Sequence, residues 1–499
     1  MGAILPARLN GTTFDVAIIG AGPAGSAAAR LLSSWGHSVA VLGRPSRHPP
    51  LAESLPPSCT KLFDQMGLRK AIDGAGFVRA TGNTVQWAGR ELRVEPFDIG
   101  PKGYQVARHA FDLLLNGAAC ASGAVVCDEA MVRDAERVGD YWQVAYEANG
   151  ESQVLRGRWL LDCSGRTGVI ARRGWRRTEP RGRTTAVVSA WERAGPWKMD
   201  DDTHTFVESY DGGWAWSVPV SSARRFVTVM LDPSVTALPT RAGLEAAYHA
   251  ELSRTTALKS LVEGAVMVDA PWACDASPYF AERVADDHLL LVGDAASFVD
   301  PLSSFGVKKA LASAWLASVV VHTALTDEVM TSPAVAFYGD RERDMYVQLQ
   351  RQFATLARDA AGAHDGAFWR GRSDADDVSE HDAKAAAVLR EPLLRASFEL
   401  LKSRDSLHLV TGDALRIVDR ATVEGHRIAL QQQLATPELP GGIRFYRNVD
   451  LVLLLGVAVR HDQVPSIFDA YNRLAPPAPL PDFLAALSAL LGMGALSFA

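Results

Sequence analysis

Cysteine is scarce in this chain. Five occur in 499 residues (Cys59, Cys120, Cys127, Cys163 and Cys274), an odd and scattered set with no CxxC pair. That argues against a disulfide framework or a zinc site and points to a reducing compartment. Long apolar runs are missing too. The purest, residues 451–459, falls far short of the roughly 20 residues a membrane helix needs. Residues 1–10 lack the basic start and apolar core of a secretory signal. The chain therefore reads as cytoplasmic, with no membrane partner. There is no excess of positive charge either: a formal charge of −6 offers nucleic acid no electrostatic footprint. The acidic stretch 371–382, with His381, lacks metal-ligand spacing and reads as a solvated linker, so no metal is expected.

What is present is a set of glycine turns. Residues 15–19 (DVAII) form a short apolar strand, 23–35 the helix behind it and 39–42 a second strand, so the chain opens with a βαβ unit. Between strand and helix stands Gly20–Ala–Gly22–Pro–Ala24–Gly25. In that context the spacing has a mechanism. Gly20 makes the tight turn, Gly22 leaves room for a pyrophosphate and Gly25 lets helix and strand pack. The helix N-terminus offers its unpaired N–H groups to the anion. A second run, residues 292–309 (VGDAASFVDPLSSFGVKK), puts an aspartate after a hydrophobic strand, then proline, glycine and another helix. Two nucleotide-type turns so far apart point to one long cofactor touched at both ends, FAD.

The fingerprint itself lacks one residue. Dinucleotide folds usually end their second strand with Asp or Glu on the adenosine ribose. Here Gly43 stands in that place, followed by Arg44. Two readings of Arg44 are open: a contact to the adenosine side of the cofactor, or a solvated loop residue.

Other pieces carry a resemblance. Gln105–Val–Ala–Arg108 with Phe111–Asp112, Asp162–Cys–Ser–Gly165, Gly293–Asp294, and Pro301 with Gly306–Val307 are similar, in kind and order, to motifs of the flavin-dependent aromatic hydroxylase and halogenase superfamily. The resemblance implies that FAD is held at its pyrophosphate end by Gly20, Gly22, Ala24, Gly25, Arg44 and Arg108. It implies Gly293 and Asp294 at the ribityl hydroxyls, and Ser54, Pro301, Gly306 and Val307 near the isoalloxazine ring. The fold class it implies is α/β (α+β). A Rossmann-like FAD-binding domain (about 12–75, 100–180 and 280–330) is interleaved with a β-sheet substrate domain (about 76–99 and 181–279), the whole within residues 1–375. Residues 376–499 are expected to form a mostly helical C-terminal module, which either helps bind a macromolecular partner or covers the substrate entrance.

Two motifs resemble the halogenase-like branch: Trp214–Ala–Trp216–Ser–Val–Pro219, against WxWxIP, and Ala52–Glu53–Ser54–Leu55–Pro56, against its GES-type loop. On a strand Trp214 and Trp216 share a face, as a wall of the substrate cavity or as a pair of core aromatics. Halogenases carry a lysine in a run like F-x-x-K-x-G, where an amine relays hypohalous acid. Here Phe77–Val–Arg79–Ala80–Thr–Gly82 puts Ala80 at that position. Arg79 faces the other way on a strand, and its guanidinium stays protonated. Ser303 replaces the glutamate of tryptophan-type halogenases, and Phe305 stands where a small residue is usual near the halide. The cavity is thus expected to be lined by Trp214, Trp216, Ala80 and Phe305, and halogenation is disfavoured.

The resemblance then implies oxygenation. FAD, reduced by NAD(P)H directly or through a flavin reductase, would react with O2 to a flavin hydroperoxide that hydroxylates an electron-rich aromatic ring. Among such enzymes the chain is most similar to the flavoproteins that mature tryptophylquinone enzymes by oxygenating a tryptophan within a partner polypeptide. The run 300–310 and the extra C-terminal segment carry that likeness. Glu53 is the candidate general base, set against a loop-ordering or FAD-contacting role, with His109 and His204 as alternatives by adjacency. Rival readings are a small aromatic substrate, a halogenase of an indole, phenol or pyrrole, and a FAD-bearing assembly factor with little chemistry.

Overall fold

Runs that are apolar on both faces pair in parallel, because only a sheet covered on both sides buries them. Val39–Leu42 (VAVL) and Leu289–Leu291 (LLL) are buried along their whole lengths. In the structure, a computed structural model describing residues 9–44, 51–97, 100–178, 182–236, 243–373 and 391–499, they join a sheet ordered Ala285–Asp286, Leu289–Leu291, Glu151–Asp162, Thr13–Ile19, Val39–Leu42, Val125–Cys127. From Leu289–Leu291 onward the pairings along this order are parallel. Register fixes Ile19 opposite both Leu42 and Asp162, and Asp162 opposite Leu291. The strands therefore end level. The hairpin Met131–Val138 and Tyr141–Ala148 continues from Glu151–Asp162, and its Ala135, Val144 and Tyr146 share one core with Ala17, Leu42 and Leu160.

Helix Pro23–Ser34 starts with proline at its first turn, where the missing N–H costs nothing. Helix Gly306–Thr326 is apolar almost all round, and most of it is buried. By length and composition it could cross a bilayer, yet 67% of its apolar window lies inside the protein, as in a core helix.

The second large sheet is mostly antiparallel, ordered Val266–Met267, Thr185–Glu192, Arg224–Leu231, Gly213–Pro219, Thr205–Tyr210, Gly82–Gln86, Arg93–Pro96. Alternation sends Val187, Val227 and Val229 to one face, beneath Tyr248, Leu252 and Leu258 of the helices that follow. Ala186, Trp214 and Met230 go to the other, against Trp87, Phe368 and Trp369. Residues 77–90 look like one irregular strand in sequence but form two. Val78–Ala80 joins Gly103–Ala107 and Ala52–Leu55 in a small antiparallel sheet, and Gly82–Gln86 joins the large one. The break is at Thr81, whose hydroxyl is held by Asp201 and Thr203.

The chain divides into compact units 1–375 and 376–499. The second has the expected helices, Glu391–Lys402, Leu451–Ala458, Val464–Leu474 and Leu480–Gly492. It also has an antiparallel sheet the sequence reading did not include: Arg416–Glu424, Arg427–Thr436 and Leu439–Ile443. The apolar run at 451 is a helix because Asp450 caps it, accepting from Val452 and Leu453 N–H.

Gly43 explains the missing ribose carboxylate. A Cβ there would lie 2.5 Å from the Ala21 methyl, so the glycine turn itself closes the place an acid would occupy. Gly43→Asp is expected to cost about 1–3 kcal/mol by overpacking, and Ala21→Gly in the same chain should recover most of it. Urea unfolding of the two variants checks this, and a single variant as stable as the parent would contradict the packing argument.

Candidate active site

Beyond the level strand ends the ladder runs one step further. Gly20 N–H donates to Leu42 O, Cys163 N–H to Ile19 O and Val292 N–H to Asp162 O. Three turns therefore leave the carboxyl edge side by side, the position at which open α/β sheets bind ligands. Their glycines are there for contact. A Cβ on Gly20 (φ +105°) would lie 2.3 Å from Cys163 O, and one on Gly25 1.8 Å from Gly20 O. Gly293 sits so close to helices Pro23–Ser34 and Gly306–Thr326 that its Cβ would be 3.5 Å from the Ala24 methyl and 3.3 Å from Ala310 Cα. Asp162, fully buried, ties down the middle turn by accepting from Ser164 N, Ser164 Oγ and Ile170 N.

Gly22 is different. It is the N-cap of Pro23–Ser34, no side chain caps that helix, and a Cβ would meet only Arg108 Nη2, 3.7 Å away. The first-turn N–H groups thus open onto space beside a guanidinium, which is what a pyrophosphate requires. Arg108 begins helix Arg108–Ala121. It reaches Glu53 Oε1 at 3.1 Å through Nη1 and Asp112 Oδ1 at 2.9 Å through Nε. Burial pushes the Glu53 carboxyl up, Arg108 opposes this, and the charges of Asp294 and Asp112 add to it. The Arg108 guanidinium in turn feels the charge of Asp294. Glu53, Arg108, Asp112 and Asp294 therefore form one cluster around the Gly22 turn.

At the far end, Asp300 accepts from Leu302 N–H across the turn Pro301–Ser303. Phe305 then caps helix Gly306–Thr326, and nothing lies within 4 Å of where a Gly306 Cβ would be. Phe305 packs partly buried against Val299, Tyr346 and Leu349. Lys308 Nζ stands over its ring, 4.4 Å from the centroid. The Ser303 side chain lies outside the described residues, as does the stretch from 374 to 390 that includes His381.

The remaining expected residues divide. Ser54 Oγ accepts from Thr205 Oγ1, which in turn accepts from Gln105. Trp214 and Trp216 stack with centroids 4.6 Å apart. Trp214 is fully buried within the aromatic core, whereas Trp216 is partly exposed and is the one that can face a cavity. Ala80 is buried, while Arg79 is turned outward to Asp73 at 2.5 Å and stacked on Tyr104. Arg44 and His109 are exposed. His204 is buried against Thr84 and Asp201, a structural placement. Among the described residues no group of three or more His, Cys, Asp or Glu could hold a metal. Sequence reading missed Lys308, Lys309, Glu342 and Asp300. A charged residue in the buried stripe of an otherwise apolar helix is the signal that finds Lys309; Glu342, on the amphipathic helix Thr331–Ala361, gives none.

Against known proteins, residues 13–326 match the FAD binding domain family. The chain belongs to it. It is 29% identical to the tryptophan 2-halogenase of Chondromyces crocatus over 65% of this chain and 64% of that one, so the match spans just under two thirds of that relative. Among solved structures, the flavin-dependent halogenase CmlS aligns over 98% of this chain and 96% of its own, with TM-score 0.77 and 24% identity. The peptidyl tryptophan dihydroxylase QhpG, essential for tryptophylquinone cofactor biogenesis, aligns over 97% and 100%, with TM-score 0.69 and 22% identity. At those identities both show the fold. The fold is thus one shared with a flavin-dependent halogenase and with a peptidyl tryptophan dihydroxylase. The uncapped helix at Gly22, the guanidinium beside it and the half-open Asp294 carboxylate suit a dinucleotide that is anionic in the middle and polyhydroxylated beyond.

Asp300 generates a pH prediction. Burial pushes its carboxyl up to about 7, opposed by the Leu302 N–H, the Arg372 charge and the Trp214 indole beside it. A folded-state pKa above the unfolded one means that the native protein holds the proton more tightly. Its stabilising contribution is full below about pH 4 and is lost as the pH rises to about 7. Asp300→Asn, neutral throughout, should match the parent near pH 4 and exceed its stability at pH 8 by on the order of 3 kcal/mol. Urea unfolding at both pH values measures this. A difference that does not grow with pH would mean that the carboxyl is not held neutral.

Proposed function

We propose that the enzyme is an FAD-dependent monooxygenase that hydroxylates an electron-rich aromatic group, a tryptophan within a polypeptide being the favoured substrate. The observation that carries this reading is Ala80. The residue at the position of the halogenase lysine is a buried methyl. Arg79 beside it is committed to Asp73 on the outer face, and Lys61 is exposed. Oxygen transfer needs no amine there. Support for an indole substrate comes from tryptophan standing in the names of both the Chondromyces crocatus relative and the dihydroxylase QhpG.

In this reading the sheet of Thr13–Ile19 and the turns at its carboxyl edge hold FAD, and the large antiparallel sheet, interleaved with it in sequence, holds the substrate. Reduced FAD, with electrons from NAD(P)H directly or through a flavin reductase, supplies the reducing power by which O2 is activated. The chain's own residues position and enclose. Gly20, Gly22, Ala24 and Gly25 admit the pyrophosphate, Arg108 neutralises it and Asp294 holds the ribityl hydroxyls. Pro301, Gly306 and Val307 face the ring. Trp216, backed by Trp214, and Phe305 keep water from the reacting carbon. Glu53 is the candidate general base, its carboxyl raised by burial, but its ion pair with Arg108 beside the Gly22 turn supports the loop-ordering or FAD-contacting role instead. The free cysteines fit a cytoplasmic setting.

Lys308 favours a second reading, halogenation. It puts an amine over Phe305 at the start of helix Gly306–Thr326, a place from which an oxidised halide could be relayed. The readings separate cleanly. Enzyme with reduced FAD, labelled O2 and a tryptophan-containing peptide or an indole should give a product carrying the label, at a rate indifferent to chloride and bromide, and Lys308→Met should retain it. A halogenated product whose rate rises with halide and vanishes in Lys308→Met would replace the proposal with the second reading. No product at all, with FAD bound, would favour an assembly role.

A further inference from the structure

Lys309 is 2% exposed, one of the few charged side chains sunk in the core. It lies in the first turn of helix Gly306–Thr326, on the side facing Asp294. Its ammonium donates to Ser297 O, lies 3.3 Å from Ser297 Oγ and 3.1 Å from Asp294 Oδ1. That oxygen of Asp294 is buried and has no well-formed hydrogen bond, while 27% of the side chain is exposed. What is open on Asp294 therefore lies on its Oδ2 side. Behind the ammonium stands Glu342 of helix Thr331–Ala361, 2% exposed, with Oε2 buried and unpartnered and its charge interacting with Lys309. Ser313 links Glu342 to the same turn, since its hydroxyl accepts from Gly293 N–H at 2.9 Å and is 3.0 Å from Tyr338 OH. Tyr338 OH donates to Leu291 O, and Tyr279 OH donates to the Asp294 carbonyl from the other side.

A lone ammonium in a core is costly, and a buried ion pair is rarely a net source of stability compared with apolar packing. Here the pair is asymmetric: one acid is sealed in and the other half open. A flexible lysine ending in a compact point charge can seat one oxygen of a carboxylate and leave the second free, whereas an arginine fork would engage both.

We propose that Lys309 is a positioning residue for the cofactor. Backed by Glu342 and Ser297, it fixes the inner oxygen of Asp294 so that the outer oxygen is presented to the hydroxyls of a polyol chain. The inference rests on the reading of Asp294 as the ribityl-binding carboxylate and adds what holds it.

The test is FAD affinity of the full chain, by fluorescence titration of protein stripped of flavin, together with its melting temperature. Lys309→Met should weaken FAD by about ten- to a hundredfold, as for loss of a charge-assisted hydrogen bond. In an Asp294→Asn background, where no carboxylate remains to be held, the same change should weaken FAD by no more than about threefold, the scatter expected of uncoupled sites. Lys309→Met with Glu342→Leu removes both buried charges. It should recover the parent's melting temperature but not its FAD affinity, and it carries the comparison should Lys309→Met alone fail to fold. An unchanged FAD affinity in Lys309→Met, an equal loss in both backgrounds, or recovery of affinity along with stability in the pair-removed variant would each overturn the proposal. Parental affinity in Asp294→Asn, with Lys309 intact, would instead take down the Asp294 reading beneath it.

Discussion

Parallel hydrogen bonding sets Ile19 against Leu42 and Asp162, and Asp162 against Leu291, so the central strands leave their sheet at one level. Every group in the candidate site depends on that register. A slip of one residue would turn each side chain to the opposite face and would part Gly20 from Cys163, whose backbones touch where no Cβ fits. The strands, apolar on both faces, would tolerate a slip; the close contacts of Gly20 with Cys163 and of Gly25 with Gly20 fix the register. The glycine turns are then consequences of crowding at a level edge. Gly43 is the clearest case, since the crowding there excludes the acid that dinucleotide folds usually carry.

Around that edge, charges sit in balanced groups, half-exposed around Arg108 and buried around Lys309 and Arg372. Arg108 sits between Glu53 and Asp112, and Lys309 between Asp294 and Glu342. Arg372 pairs with Asp232 and lies near Asp300. Such groups seldom raise stability; their value lies in fixing direction. Each contains an acid raised by burial, Glu342 and Asp300 to about 7 and Glu53 upward against the opposing Arg108 charge. A dianionic pyrophosphate arriving beside Arg108 is a large change of charge next to Glu53. Cofactor binding and the ionisation of Glu53 are therefore linked, and by reciprocity whatever deprotonates Glu53 weakens the hold on the anion.

What was legible in the sequence was local. Strand, glycine turn and helix follow one another within a few residues, so Gly20–Gly25, Asp162–Gly165 and Gly293–Asp294 could be read. What was illegible depended on partners distant in sequence. Residues 77–90 have no single period because Thr81 is drawn to Asp201 and Thr203 and the halves join different sheets. The C-terminal sheet is built from strands with mostly exposed burial patterns such as RIVDRATVE, which lack the clean alternation that marks a strand. Glu342 looks like any acid on an amphipathic helix until that helix packs on Ser313. The aromatic pair shows the reverse: period two correctly put Trp214 and Trp216 on one face, but only packing against Trp369 and Phe368 makes one a core residue and leaves the other open.

The change at Ala80 reaches beyond one side chain. Its methyl is covered by the small sheet that also carries Glu53, and a Cβ on Gly103 opposite would lie 3.3 Å from it and 2.5 Å from Leu55 O. Thr81 pins the strand end immediately after it. The Ala80 methyl is therefore packed against the sheet that also carries Glu53, and a charged side chain at so buried a position would need a partner or cost several kcal/mol. The methyl at position 80 is thus tied to the packing that shapes this part of the site. Under the proposed oxygenation no amine is needed at that position, whereas the halogenation reading would have to draw on Lys308, which stands over Phe305 at the start of helix Gly306–Thr326.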